Sequence, residues 1–278
     1  MSWDRKALLA RINESDRRTR FSAGSPNQEE VEAYRRGLLS CSSRESALVL
    51  GMTPELRVLV ADIFNNTFAV DNNPDSVDIY RDWLPEKYRE KESLVLDNWF
   101  HLRDRFEEPF SAIVGDGVFG NILGRELHYS LLSVIHGLLS EGGVFVTRKV
   151  VIPRHFDPEK EGLDAKIMAF RNGDIGSDEF GFFTRMLGFY SDCYSRESCI
   201  LDNRKVFGRV EQLLHEGEIT SQELDSINRY YFSGENCVVP EDVWENMLRE
   251  TGFEFEVIPC FGKDWYRYYK VYHCWHKQ

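Results

Sequence analysis

The sequence lacks most of the patterns that would name a chemistry at once. Its six cysteines, at 41, 193, 199, 237, 260 and 274, form no C-x-x-C pair. A chain of 278 residues can bury a core without disulfide staples. The cysteines therefore read as reduced thiols, and the expected location is cytoplasmic. No apolar run approaches the ~20 residues of a membrane span. The start, Met1-Ser-Trp-Asp-Arg-Lys6, lacks the apolar stretch of a secretory signal. Positive charge is scarce: 34 Lys and Arg stand against 46 Asp and Glu, a formal net charge of −12. That excludes a nonspecific nucleic-acid binder, which needs a basic face to displace counterions. The one dense basic run, Arg17-Arg18-Thr19-Arg20, reads as a solvated helix end. There is no G-x-x-x-x-G-K-[ST], no G-x-S-x-G and no H-E-x-x-H, so a P-loop enzyme is excluded and a serine hydrolase or zinc protease disfavoured. His273, Cys274 and His276 supply too few convergent ligands for a metal site, and none is expected.

What is present is an alternation of short apolar runs and helical stretches. Strand-like runs occupy 46–50, 67–71, 93–97, 110–115 and 143–149, separated by helical stretches at 53–64, 75–90 and 121–140. The strands are nearly continuous in Val, Leu, Ile and Ala, as in a parallel sheet covered on both faces. The stripe Leu127, Leu131, Leu132, Ile135, Leu138, Leu139 reads as core, and Gly142 suits the left-handed position that ends that helix. A late helix from Pro240 and two strands, 253–258 and 268–275, complete an antiparallel edge. The predicted fold is a doubly wound, mostly parallel α/β sheet of seven strands, Rossmann-like, with an antiparallel last strand. Residues 1–45 read as a helical extension, with helices opening at Ser2 and at Ser25 or Asn27. Residues 46–278 form the α/β domain. An aromatic, mostly helical insertion interrupts it at about 151–238, and its aromatics read as the insertion's own core.

Ligands of open α/β sheets bind beyond the carboxyl ends of the strands, near the reversal of strand order. Here those ends carry Gly51, then Asp71-Asn72, Asp97-Asn98 and Gly115-Asp116-Gly117. Asp71 follows Gly51 by twenty residues, the spacing at which a carboxylate takes the hydroxyls of a ribose. Asp97 and Asp116 serve equally well as helix caps. Thr53-Pro54-Glu55 is a good helix start, with Thr as cap, Pro at the first position and Glu at the positive end. A threonine at 53 makes a close pyrophosphate approach difficult, which disfavours a nicotinamide oxidoreductase.

In order, these strand-end motifs resemble class I S-adenosylmethionine-dependent methyltransferases. Leu139-Ser-Glu-Gly-Gly143 resembles that family's L-x-P-G-G turn. Gly51-Met-Thr-Pro-Glu-Leu56 is similar to a branch whose first loop reads G-x-T-P-E-L. The resemblance covers about 46–150 and 238–275. It implies S-adenosylmethionine as cofactor and S-adenosylhomocysteine as product. It implies that Gly51 lets the loop approach the methionine moiety, that Asp71 holds the ribose and that Asn72 lies beside the adenine. Asp97, Asn98 and Trp99 would surround the adenine, and Asp116 would lie near the transferring methyl. Val49 stands where the family usually has an acid, and Glu55 is the candidate replacement. Thr53 and Glu55 stand where it has further glycines. Phe119, Asn121, Arg148 and His155 are the candidate acceptor-side residues, with Arg148 suited to an anionic acceptor. The expected activity is methyl transfer by in-line displacement to a small molecule. The alternative is a methyltransferase-fold scaffold with weak or no catalysis, which the altered first motif favours.

Overall fold

The computed structural model describes residues 24–231 and 234–277. The expected helix at Ser2 and the basic run at 17–20 lie outside these residues. The first helix among the described residues, α1 (Gln28–Leu38), opens with a capping box: Asn27 Oδ1 accepts from Glu30 N at 3.1 Å and Glu30 Oε2 accepts from Asn27 N at 2.9 Å. Then come β1 (Ser46–Leu50), α2 (Pro54–Ile63), β2 (Asn66–Asp71), α3 (Pro74–Tyr80), β3 (Glu92–Leu96), β4 (Phe110–Asp116), α4 (Arg125–Leu138) and β5 (Leu139–Ile152). After the insertion, α5 (Glu241–Glu250), β6 (Phe253–Ile258) and β7 (Tyr269–His276) return to the sheet.

The strands lie in the order β3-β2-β1-β4-β5-β7-β6. All are parallel except β7, which is antiparallel to both β5 and β6. This is the predicted mixed α/β sheet. One face buries Leu48, Ile113 and Phe145 with Leu131 and Ile135 of α4 and Trp244 of α5. The other buries Val49, Val114 and Val146 with Tyr34 and Leu38 of α1 and Leu56 and Val60 of α2. Both faces being covered explains the unbroken apolar runs. Arg57, buried in α2, ties that helix to β3 through Glu92 at 2.5 Å. The order reverses between β1 and β4, so a ligand crevice belongs beyond their carboxyl ends.

The insertion combines several helices with a small antiparallel sheet of Tyr194–Ser195, Ile200–Asp202 and Glu235–Cys237. Thr220 opens one of its helices with a second capping box. Phe180, Phe182, Phe183, Phe189 and Tyr230 pack into its core, which continues into Trp265, Tyr268 and Tyr269.

Several local expectations need correction. The stretch 75–90 is broken, with α3 ending at Tyr80 and only a short helix at Glu86–Arg89. Leu84, held extended before Pro85, prevents continuity. The helix 121–140 is shorter, Arg125–Leu138, and Leu127 is exposed rather than core. Gly142 does have a left-handed φ of +69°. It lies in the irregular opening of β5 rather than at the helix end, because β5 starts at Leu139 and its register against β4 shifts there. Thr53 occupies the cap position of α2 without a side-chain cap bond.

Candidate cofactor and acceptor site

The ends of β1, β2 and β3 form one half of the crevice. Gly51 turns the chain out of β1 with φ +96°, in the region that favours glycine. Its amide donates to Val70 O at 2.7 Å, and Trp99 Nε1 donates to the same carbonyl at 2.8 Å. The indole thus lies beside the ends of β1 and β2, and a Cβ on residue 51 would stand 3.9 Å from its Cζ2. Asp71 ends β2, accepting from Asn73 N at 2.9 Å and Ser76 Oγ at 3.3 Å. Burial pushes its pKa up, against those hydrogen bonds. Asp97 follows β3; its amide donates to Asp71 O at 3.2 Å, and its carboxylate accepts from Asn98 N at 2.7 Å. Its side chain stays 28% exposed and Asn72 is exposed. Thr53 and Glu55 stand at the N-terminal end of α2, both partly buried. The structure therefore brings together Gly51, Asp71, Asn72, Asp97, Asn98 and Trp99, with α2's first turn leading away from Gly51. A carboxylate has about four lone-pair sites, so Asp71 and Asp97 retain acceptor capacity after holding their own loops.

The ends of β4, β5 and β7 are built differently. Arg148 is fully buried and grips Asp116 in a fork, Nε to Oδ1 at 2.7 Å and Nη2 to Oδ2 at 3.1 Å. Its Nη1 reaches Glu30 Oε2 on α1 at 2.7 Å. The guanidinium lies 3.9 Å from the centre of the Tyr269 ring. Tyr34 Oη donates to Gly115 O at 2.8 Å and accepts from Arg148 N at 2.7 Å, bridging the two strand ends. Burial pushes the Glu30 carboxyl up despite Arg148, and burial with the Asp116 charge raises Tyr34. Arg148 stays protonated, since its two carboxylates outweigh its burial.

This arrangement corrects two expectations. Arg148 has no charge left for an anionic acceptor, because Asp116 and Glu30 already compensate it. Phe119 is not a pocket wall: it is fully buried, 4.7 Å from the Trp244 ring and edge-on to His128 at 5.3 Å. Asn121 is exposed where the loop after β4 meets the insertion, 3.5 Å from Asn236 Nδ2. His155 is exposed beyond β5. Glu30, Tyr34 and Tyr269 were not anticipated. Asn27-Gln-Glu-Glu30 spells a capping box, which accounts for Glu30 without hinting at Arg148.

Two further buried ionisable groups lie behind this half. His128 Nε2 sits 2.8 Å from Phe119 O and 2.9 Å from Ile122 O. Both are acceptors, so Nε2 carries the hydrogen and Nδ1 is left bare. Burial, helped by Lys149, lowers its pKa to about 3. Lys149 donates to Cys237 O at 3.2 Å, and burial lowers it to about 8.

No protein-family model matches the chain, and no curated protein sequence matches it. Solved structures do match across almost its whole length. The CcbJ methyltransferase from Streptomyces caelestis aligns with TM-score 0.60 at 14% identity, covering 99% of this chain and 100% of that one. An S-adenosylmethionine-dependent methyltransferase from Clostridium acetobutylicum gives 0.59 at 12% identity, covering 99% and 100%. The chain has the class I methyltransferase fold. The N-methyltransferase NodS from Bradyrhizobium japonicum, solved with S-adenosylhomocysteine, gives 0.51 at 12% identity, covering 99% and 100%. In this strand order the carboxyl ends of β1 to β4, which carry Gly51, Asp71, Asp97 and Asp116, lie along one edge of the sheet.

Proposed function

We propose that this chain is an S-adenosylmethionine-dependent methyltransferase with a small-molecule acceptor. The observation that carries the reading is the set of strand ends at the switch point. Gly51 is left-handed, and Asp71 and Asp97 are joined through a backbone hydrogen bond while keeping acceptor capacity. In this reading Asp71 takes the ribose hydroxyls, and Asn72, Asp97, Asn98 and Trp99 surround the adenine. Gly51, Thr53 and Glu55 face the methionine moiety. Val49, in the position of the family's acid, is buried and apolar, so the methionine amino group takes its carboxylate from elsewhere in the chain. Asp116 stands at the edge between cofactor and acceptor.

The methyl of a sulfonium is already activated, so the bound cofactor supplies the reactive carbon. The chain's own residues align and exclude water. Asp71 fixes the cofactor's rotation, Trp99 closes one side, and the Asp116–Arg148 fork sets a rigid wall beyond β4. The acceptor enters between the loop after β4 near Asn121, the start of the insertion near His155, and α1.

Calorimetric titration with S-adenosylhomocysteine tests the reading. Micromolar binding that Asp71→Ala weakens at least tenfold is the expected result. Absence of binding at millimolar ligand would return the chain to a scaffold role on the methyltransferase fold.

A further inference from the structure

The corner formed by α1, β4, β5 and β7 carries an imbalance that its own residues do not resolve. Glu30, Arg148 and Asp116 have side chains 0%, 0% and 7% exposed. Two carboxylates share one guanidinium, so the group holds a net charge of about −1 in a poorly solvated place. The imbalance has a specific atom. Glu30 Oε2 is satisfied by Arg148 Nη1 and Asn27 N. Glu30 Oε1 is buried and has no hydrogen-bond partner among the described residues. A bare carboxylate oxygen in that setting calls for a ligand that carries both positive charge and an N–H.

The surroundings fit such a group. Tyr269 and Tyr34 flank the corner, and Tyr269 already faces one cation, Arg148. Asn27, at the start of α1, donates to Tyr266 Oη at 2.9 Å. A cavity of about 230 Å³ is lined by Cys260, Tyr266 and Tyr269, among others. Asn27, whose amide Glu30 holds, is bonded to Tyr266, and Arg148, which Glu30 pairs, lies over Tyr269, so Glu30 stands behind the wall of that cavity. Lys263, Arg267 and Lys270 also line it. Arg267 is paired with Glu161 at 3.1 Å and Lys270 with Glu241 at 2.5 Å, so those two cations are compensated where Glu30 Oε1 is not.

We propose that Glu30 receives an ammonium group, with Oε1 as the hydrogen-bond acceptor. The proposal rests on the methyltransferase reading for its two sources. One is the amino group of the cofactor's methionine end, for which this chain has no acid at position 49. The other is a primary or secondary amine as the methyl acceptor. A sulfonium alone does not suffice, because it brings charge and no N–H.

Glu30→Gln is the matching variant. Gln also serves in a capping box and keeps an oxygen toward Arg148, so the helix start is retained while the charge goes. Two titrations on the full chain read the cofactor source: S-adenosylhomocysteine, and its analogue lacking only the amino group. If the cofactor supplies the ammonium, the wild type binds the parent at least tenfold tighter than the analogue, and that gap collapses in Glu30→Gln. The wild-type ratio is readable even if the variant does not fold.

Saturation-transfer NMR with phenethylamine and phenylacetate, in the presence of S-adenosylhomocysteine, reads the acceptor source. Wild-type binding of the amine over the carboxylate, lost in Glu30→Gln with cofactor affinity unchanged, assigns the ammonium to the acceptor. The proposal is overturned if the analogue binds as well as its parent and phenethylamine shows no preference over phenylacetate. It is equally overturned if Glu30→Gln folds and leaves both preferences intact. If S-adenosylhomocysteine fails to bind the wild type, the methyltransferase reading falls, and the amine probe without cofactor still decides the role of Glu30.

Discussion

The two halves of the crevice solve opposite problems with the same residue types. At the ends of β1–β3, Asp71 and Asp97 are satisfied mainly by their own loops and keep spare lone pairs toward the crevice. At the ends of β4, β5 and β7, Asp116 and Glu30 are locked onto a buried arginine. The first half is cheap to disturb, and in the proposed reading its spare acceptors serve a ligand. The second is expensive to disturb because its charges have left water. A carboxylate at a strand end is therefore read by its partners, not by its position.

That contrast breaks most visibly at Arg148. Arg148→Met leaves two buried carboxylates without a cation and is expected to cost about 3–5 kcal/mol of stability, measured by urea unfolding. Adding Glu30→Gln to that variant should recover part of the loss. Next is the pH response of His128. It is neutral in the fold, with a pKa of about 3 against an ordinary 6.5. Below pH 6.5 the unfolded chain takes a proton that the fold refuses until about 3. Stability should therefore fall with pH across that window, at up to about 1.4 kcal/mol per pH unit. His128→Gln should flatten the difference curve there.

In the open half the effects move from stability to affinity. Asp71→Ala should weaken S-adenosylhomocysteine binding by tenfold or more, about 1.4 kcal/mol, while leaving the urea midpoint nearly unchanged. The smallest effect belongs to Trp99→Phe. It removes one donor from Val70 O, which still accepts from Gly51 N. The expected cost is about 1 kcal/mol or less, because no buried acceptor is orphaned. A large stability loss for Asp71→Ala, or a small one for Arg148→Met, would erase the distinction between the halves.

The sheet was legible because β1 to β4 are apolar runs ended by Gly or Asp. β1 and β2 fall within a residue of their expected bounds. The strand-end acids were legible for the same reason. What escaped depends on long-range pairing. Arg148 and Glu30 are 118 residues apart in sequence, and the Glu30 pattern was already explained as a cap. Phe119 reads as a pocket residue because it follows a strand-end loop. Only the direction of the short turn Val118–Asn121 decides that it faces Trp244. Leu127 fits the helical stripe by spacing, but α4 begins only two residues earlier and in its first turn it is His128, not Leu127, that is buried.

The Tyr34 hydroxyl has a consequence for motion. It holds the Arg148 amide from a helix, where a neighbouring strand would ordinarily do so. That one N–H should exchange with solvent deuterium only when α1 lifts from the sheet. Lifting also strips Glu30 from Arg148 and exposes the fork, so undocking is expected to be cooperative rather than a gradual fraying. The exchange rate of a single amide on β5 thus becomes a clock for how often α1 leaves the sheet.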